Sequence, residues 1–142
     1  MIPLLIHQQE SNTMNPWKDI PEIGCRFSIE KRVTESMSAA ACGSGNLPVL
    51  GTPALMAGLE SAAMSTIASY LAPGFDTVGT HVSLDHIKAT VIGDSVGFTA
   101  ELVKVDGRSL TFKIFAEDSS GLIGQGSHQR FVVNADHFMK KI

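Results

Sequence analysis

Hydrophobic and polar positions alternate with period two along most of the second half of the chain. Val96, Phe98, Ala100 and Leu102 share one side of a strand over residues 95–105, and Leu110, Phe112, Ile114 and Ala116 share one side of the next over 108–118. The same period runs through 78–90 and 122–133. Breaks fall at Ile92-Gly93-Asp94, at Asp106-Gly107 and at Ser119-Ser120-Gly121, all turn-forming residues. Connections this short predict that the four strands form an antiparallel meander. An earlier strand is expected over 25–35, where Phe27, Ile29, Lys31 and Val33 alternate with Ser28, Glu30, Arg32 and Thr34.

Between the first strand and the other four the period changes. Residues 53–71 are apolar almost all round, which predicts one long helix buried on most sides. Pro53 suits the first helical position and biases Thr52 to an extended conformation, so Thr52 is expected at the N-cap; Pro73-Gly74 ends the helix. Gly58, inside it, costs about 1 kcal/mol relative to Ala and implies close approach of a sheet, a helix or a ligand. Residues 36–51 show neither period and read as a flexible connector; Gly43-x-Gly45 lacks the strand, helix and Lys-Ser/Thr of a phosphate loop. Strand, buried helix and four antiparallel strands make an α+β chain in which a curved five-stranded antiparallel sheet wraps one helix, the hot dog fold. Edge strands and an incompletely covered helix predict that two such units pair.

With 142 residues, 44% of them hydrophobic, the chain accommodates one domain, taken as 21–142, after an N-terminal tail over 1–20 in which Met14 offers a second start. The apolar start Met1-Ile2-Pro3-Leu4-Leu5-Ile6 has no basic flank and is too short for a signal core or a membrane span. A formal net charge of −3 argues against a nucleic-acid surface. Cys25 and Cys42 form neither a zinc motif nor a disulfide framework, so a reducing, cytoplasmic setting is expected.

Against this background one side chain stands out. Glu60 is the only carboxylate or cation between Glu35 and Asp76. A charge isolated in an apolar helix is paired, protonated or put to use. His86 shares a strand face with Val82 and Leu84, the side turned to the helix, whereas His81 and Asp85 face away. A lone core His is more often structural than catalytic, and capping alone explains Thr52. Taken jointly, Thr52, Glu60 and His86 are of more interest than any one of them alone.

Thr52-x7-Glu60 at the start of the helix, Val78-Gly79-Thr80 opening the next strand, His86 along it, and Gly124-Gln125-Gly126-Ser127-His128-Gln129-Arg130 in the last strand resemble the hot dog thioesterases of the fluoroacetyl-CoA thioesterase type. The resemblance covers about residues 26–133, without gaps from Thr52 to His86. It implies hydrolysis of an acyl-CoA thioester, with Thr52, Glu60 and His86 as catalytic residues and Gly79 as a backbone oxyanion donor. Such chemistry needs a donor where negative charge develops, and a nucleophile that is either activated water or the carboxylate itself. Acyl-CoA is then substrate, no cofactor is required, and the expected assembly is a homodimer with a tetramer as its extension. One departure is that residues 43–50 contain no aromatic side chain, whereas the fluoroacetyl-selective branch closes its acyl pocket with phenylalanines from this region; this speaks against fluoroacetyl selectivity and leaves thioester hydrolysis untouched.

Gly124, Gly126, His128 and Arg130 share one face of the last strand, a bare groove beside a basic pair; Gly126, His128 and Arg130 are candidate CoA contacts, with helix packing as the alternative. Two rival functions remain: a non-catalytic acyl-CoA-binding module, which has no need of the Thr52, Glu60 and His86 combination, and a hydratase or dehydratase, whose Asp/His motif is missing. A metal hydrolase is disfavoured because His81 and His86 face opposite ways and no ligand cluster appears.

Overall fold

The computed structural model describes residues 15–142. In chain order the elements are β1 (Arg26–Arg32), α1 (Ala39–Cys42), α2 (Thr52–Ala68), β2 (Phe75–His86), β3 (Ser95–Asp106), β4 (Ser109–Asp118), β5 (Gly121–Asn134) and α3 (Ala135–Lys140). The five strands form one antiparallel sheet in the order β1-β3-β4-β5-β2, and α2 packs across it, most closely on β3. This is the expected hot dog arrangement.

The alternation along β3 and β4 places side chains as expected: Val96, Phe98, Ala100, Leu102, Leu110, Phe112, Ile114 and Ala116 are essentially sealed from solvent. They meet Leu55, Leu59, Ala62, Ala63 and Ile67 on one face of α2. The reason for Gly58 is here, because the buried Phe98 ring occupies the space that a Cβ on Gly58 would need. The other side of α2 is not covered within the protomer: Ala57 and Ala68 are exposed and Met64 is 42% exposed. The helix is apolar all round, yet one sheet buries only one side of it.

Four expectations are corrected. The meander has three strands, not four: β2 pairs with β5 instead of β3, because β2 ends at His86, where the Ile87 and Lys88 amides both donate to the Ile123 carbonyl. Eight residues then separate β2 from β3, enough to cross the sheet, whereas the two-residue links β3–β4 and β4–β5 force neighbours together. The connector is also structured. Ser38 caps α1 by accepting from the Ala41 N–H, Gly43 ends it with a positive φ, and Ser38 and Val49 form bridges to Leu50 and Val91. Ser-Ala-Ala-Ala-Cys-Gly was a readable cap, helix and stop. Next, the first strand, whose alternation over 25–35 implied one face against the core, is the shorter Arg26–Arg32 and a thinly covered edge, with Ile29 half-buried and Phe27 45% exposed. Finally, part of the expected tail belongs to the domain: the Lys18 and Asp19 amides bond the Tyr70 carbonyl, the Ala72 amide bonds the Pro16 carbonyl, and Trp17 bridges to Leu71. The remaining tail assignment, 1–14, lies outside the described residues.

Candidate active site

Thr52 and His86 are brought together. The N-cap of α2 is Gly51, not Thr52, so the Thr52 hydroxyl is released from capping and lies 2.8 Å from His86 Nδ1 in a hydrogen bond. The turn before it is held by the Gly51 amide on the Met37 carbonyl and the Leu50 amide on the Thr90 carbonyl. His86 is half-buried at the end of β2, and its Nε2 is buried without a hydrogen bond among the described residues. Burial holds its pKa below the ordinary imidazole value, with the Lys88 backbone pulling weakly the other way. A neutral imidazole beside a hydroxyl is a proton acceptor near neutral pH. An open cavity of about 260 Å³ adjoins it, lined by Val49, Leu50, His86, Ile87, Lys88 and Ala89.

Glu60 and Gly79 form a second group. Eight residues of helix separate Thr52 from Glu60, about 12 Å along the axis. There the Glu60 carboxylate points at Gly79: a Cβ on residue 79 would lie 2.7 Å from Glu60 Oε2. A side chain there would meet the end of the half-exposed Glu60 side chain and displace it, so glycine lets the carboxylate approach the strand backbone. Strict alternation would turn Gly79 away from the face that His86 occupies. A bulge between Gly79 and His81 leaves Thr80 out of register, and this one-residue slip lets Phe75, Thr77 and Gly79 before it share the inner face with Val82, Leu84 and His86 after it. The bulge also interrupts the backbone ladder beside Gly79, on an edge strand with a side open to a further partner.

His128 and Arg130 were expected on a groove; they are buried, 1% and 7% exposed, beneath Glu60. Arg130 donates from Nε to the Thr77 hydroxyl at 2.9 Å and from Nη2 to the Thr77 carbonyl at 3.0 Å. His128 Nδ1–H donates to the His81 carbonyl at 2.7 Å, which leaves Nε2 to accept from Arg130 Nη1 at 3.2 Å. His128 is therefore the neutral tautomer. Burial lowers its pKa, the His81 backbone opposes, and Arg130 lowers it further. Arg130 also loses basicity to burial, offset by Glu60 and Asp76. The charge partner of Glu60 is thus Arg130, whose Nη1 lies 3.7 Å from Oε2, with His128 Nε2 at 3.8 Å. Because the Glu60 side chain is 42% exposed, this pair is screened and worth under about 1 kcal/mol, so it steers the carboxylate more than it stabilises the fold.

Gly126 is accounted for by packing, since a Cβ there would run into the Ser83 backbone carbonyl of β2. Sequence reasoning missed that His128 and Arg130 are Glu60's neighbours. The signal was present: they share a strand face with two glycines that nothing but close-packed backbone requires, and an isolated Glu60 needed a cation.

One helix in a five-stranded antiparallel sheet, with a Thr–His pair at its start and a carboxylate two turns on against a strand glycine, defines a hot dog protein of the thioesterase class. The chain belongs to the fluoroacetyl-CoA-specific thioesterase family, whose model matches residues 33–136. It is 36% identical over 94 residues to the fluoroacetyl-CoA thioesterase of Streptantibioticus cattleyicolor, covering 66% of this chain and 68% of that one. A crystal structure of a point mutant of the fluoroacetyl-CoA-specific thioesterase superposes with a TM-score of 0.83 at 31% identity, over 87% of this chain and 96% of the other. A thioesterase-superfamily protein of Thermus thermophilus superposes with a TM-score of 0.80 at 22% identity, covering 86% and 90%, and shares the fold. No helix among the described residues is long and apolar enough to cross a membrane.

Proposed function

We propose that the protein hydrolyses a small or medium acyl-CoA to the free acid and CoA, using Thr52, Glu60 and His86, with the Gly79 backbone N–H as oxyanion donor. The observation that carries this reading is the 2.8 Å bond between the Thr52 hydroxyl and a His86 whose pKa burial has lowered. In the direct route water gives a proton to neutral His86 and adds to the thioester carbonyl, charge develops on its oxygen near Gly79, and the C–S bond breaks as His86 passes that proton to the departing thiolate. In the covalent route the Glu60 carboxylate adds first and expels the thiolate, and water deprotonated by His86 then hydrolyses the mixed anhydride to free acid and Glu60. The cavity beside His86 is lined by Val49, Leu50, Ile87 and Ala89 together with His86 and Lys88, a mostly aliphatic surface that suits a small or medium acyl group. Arg130 and His128 support Glu60 from below, a role their burial favours over contact with CoA phosphate. Two free cysteines fit a cytoplasmic setting. The test is thiol release from acetyl through medium-chain and aromatic acyl-CoAs. Turnover above buffer with at least one supports a hydrolase; saturable binding without any turnover would make the protein an acyl-CoA-binding module.

The same reading makes the protein a homodimer with its active site between subunits. Within one protomer the Thr52–His86 pair and the Glu60–Gly79 pair stand apart, while the exposed side of α2 and the outer edge of β2 are uncovered. Antiparallel pairing of β2 with its own copy about a two-fold at Ser83, with Thr80 left out as the bulge, sets Gly79 of one protomer opposite the partner's His86. Mixing inactive Glu60→Gln and His86→Ala proteins and letting subunits exchange then restores roughly a quarter of wild-type turnover, because half the dimers regain one intact site. No recovery, once exchange is verified by mass, would place all the residues of a site in one subunit.

A further inference from the structure

Asp118, at the end of β4, touches none of the proposed catalytic residues, yet it ties together the two stretches of chain that carry Thr52 and His86. Its side chain is 1% exposed, covered by Lys88 and the β4–β5 turn. Oδ2 accepts from Lys88 Nζ and from the Thr90 hydroxyl, each at 2.8 Å, and Oδ1 accepts from the Ser120 N–H at 2.8 Å. Burial works against its ionisation, but Lys88, Ser120 and Thr90 outweigh that and leave its pKa below the ordinary carboxylate value.

Lys88 and Thr90 follow His86 by two and four residues, on a stretch whose amides at Ile87 and Lys88 are already tied to the Ile123 carbonyl. Thr90 in turn accepts from the Leu50 amide through its carbonyl at 2.8 Å, and Val91 bridges to Val49, so this stretch also sets the path of the chain into Thr52. Asp118 binds Thr90 by its side chain and Leu50 binds Thr90 by its backbone. One buried carboxylate therefore fixes the chain that leaves His86 to the chain that leads into Thr52.

We infer that Asp118 is a positioning residue, holding the Thr52 hydroxyl and the His86 imidazole at hydrogen-bond distance through Lys88 and Thr90. For its effect on turnover this rests on the thioesterase reading above; for its effect on His86 it does not. A displacement of about 1 Å at a reacting group costs about 10²-fold in rate. Asp118→Ala should accordingly lower kcat about 10²-fold with little change in KM. Asp118→Asn, which keeps an acceptor for the Ser120 amide and a partner for Thr90, should recover much of that loss.

The second readout is the proton NMR titration of His86 in the full-length protein, assigned by its disappearance in His86→Ala. In Asp118→Ala the His86 pKa should rise from its lowered position toward about 6.5, as the loosened stretch admits water. A purely structural Asp118 would lower the melting temperature and move neither kcat in the folded fraction nor the His86 titration, and that result overturns the inference. If Asp118→Ala does not fold, Lys88→Met removes the half-exposed ammonium alone and is judged by the same two readouts. Full turnover in His86→Ala would remove His86 from the chemistry, while the titration shift would still decide whether Asp118 positions it.

Discussion

Glu60→Gln leaves a folded protein that binds acyl-CoA and turns it over at least about 10³-fold more slowly. The amide has nearly the volume of the carboxylate and still fits against Gly79, but it is neither a nucleophile nor a base. Stability is expected to change by no more than about 1 kcal/mol, since the carboxylate is 42% exposed and its contact with Arg130 is at 3.7 Å. Arg130 keeps both bonds to Thr77 and the nearby charge of Asp76, so removal of Glu60 does not strand it. A thermal melt, a binding isotherm and a thiol-release assay on the one variant separate the possibilities. Retained turnover would take Glu60 out of the mechanism.

His86→Ala is expected to lower kcat by about 10² to 10⁴, the usual scale for losing a general acid–base group. With His86 as the proposed proton acceptor the working form is the neutral imidazole, so kcat/KM should fall as the pH drops through a pKa below about 6.5 and level off above it. His86→Ala should lose that limb. Stability carries the same sign. A histidine whose folded pKa is depressed binds fewer protons when folded, so its contribution is fully present above the unfolded value and is lost as the pH falls through the folded one. His86 and His128 both shift this way, and the melting temperature should decline on acidification through that window. The decline should be shallower in His86→Ala. A folded His86→Ala protein with near-wild-type turnover would return His86 to the role of a core residue.

Much of this architecture is a local property of the chain. Period-two alternation sends Val96 to Leu102 and Leu110 to Ala116 inward whatever the strand order, because successive side chains must point to opposite faces. The two-residue links around β4 act within a few residues, so the β3-β4-β5 meander was legible, whereas α2 stops at Ala68, three residues short of the Leu71 expected from Pro73-Gly74. The isolation of Glu60, and its spacing to Thr52, could be read off the chain directly.

Other features depend on groups far apart in sequence, and only the folded chain decided them. That β2 pairs with β5 follows from where β2 stops against Ile123, which no local pattern shows. The bulge at Thr80 reverses the alternation, so Gly79 and His86 face one side although their spacing of seven places them on opposite ones. Thr52 gave up the cap because Gly51 supplies it, and its hydroxyl met a histidine 34 residues away. His128 and Arg130 became the floor beneath Glu60 because a face bearing Gly124 and Gly126 packs inward, where a guanidinium must find acceptors such as Thr77. Alternation and capping are set by a residue and its immediate neighbours, whereas pairing, burial and the meeting of charges are set by which surfaces the collapsed chain excludes from water.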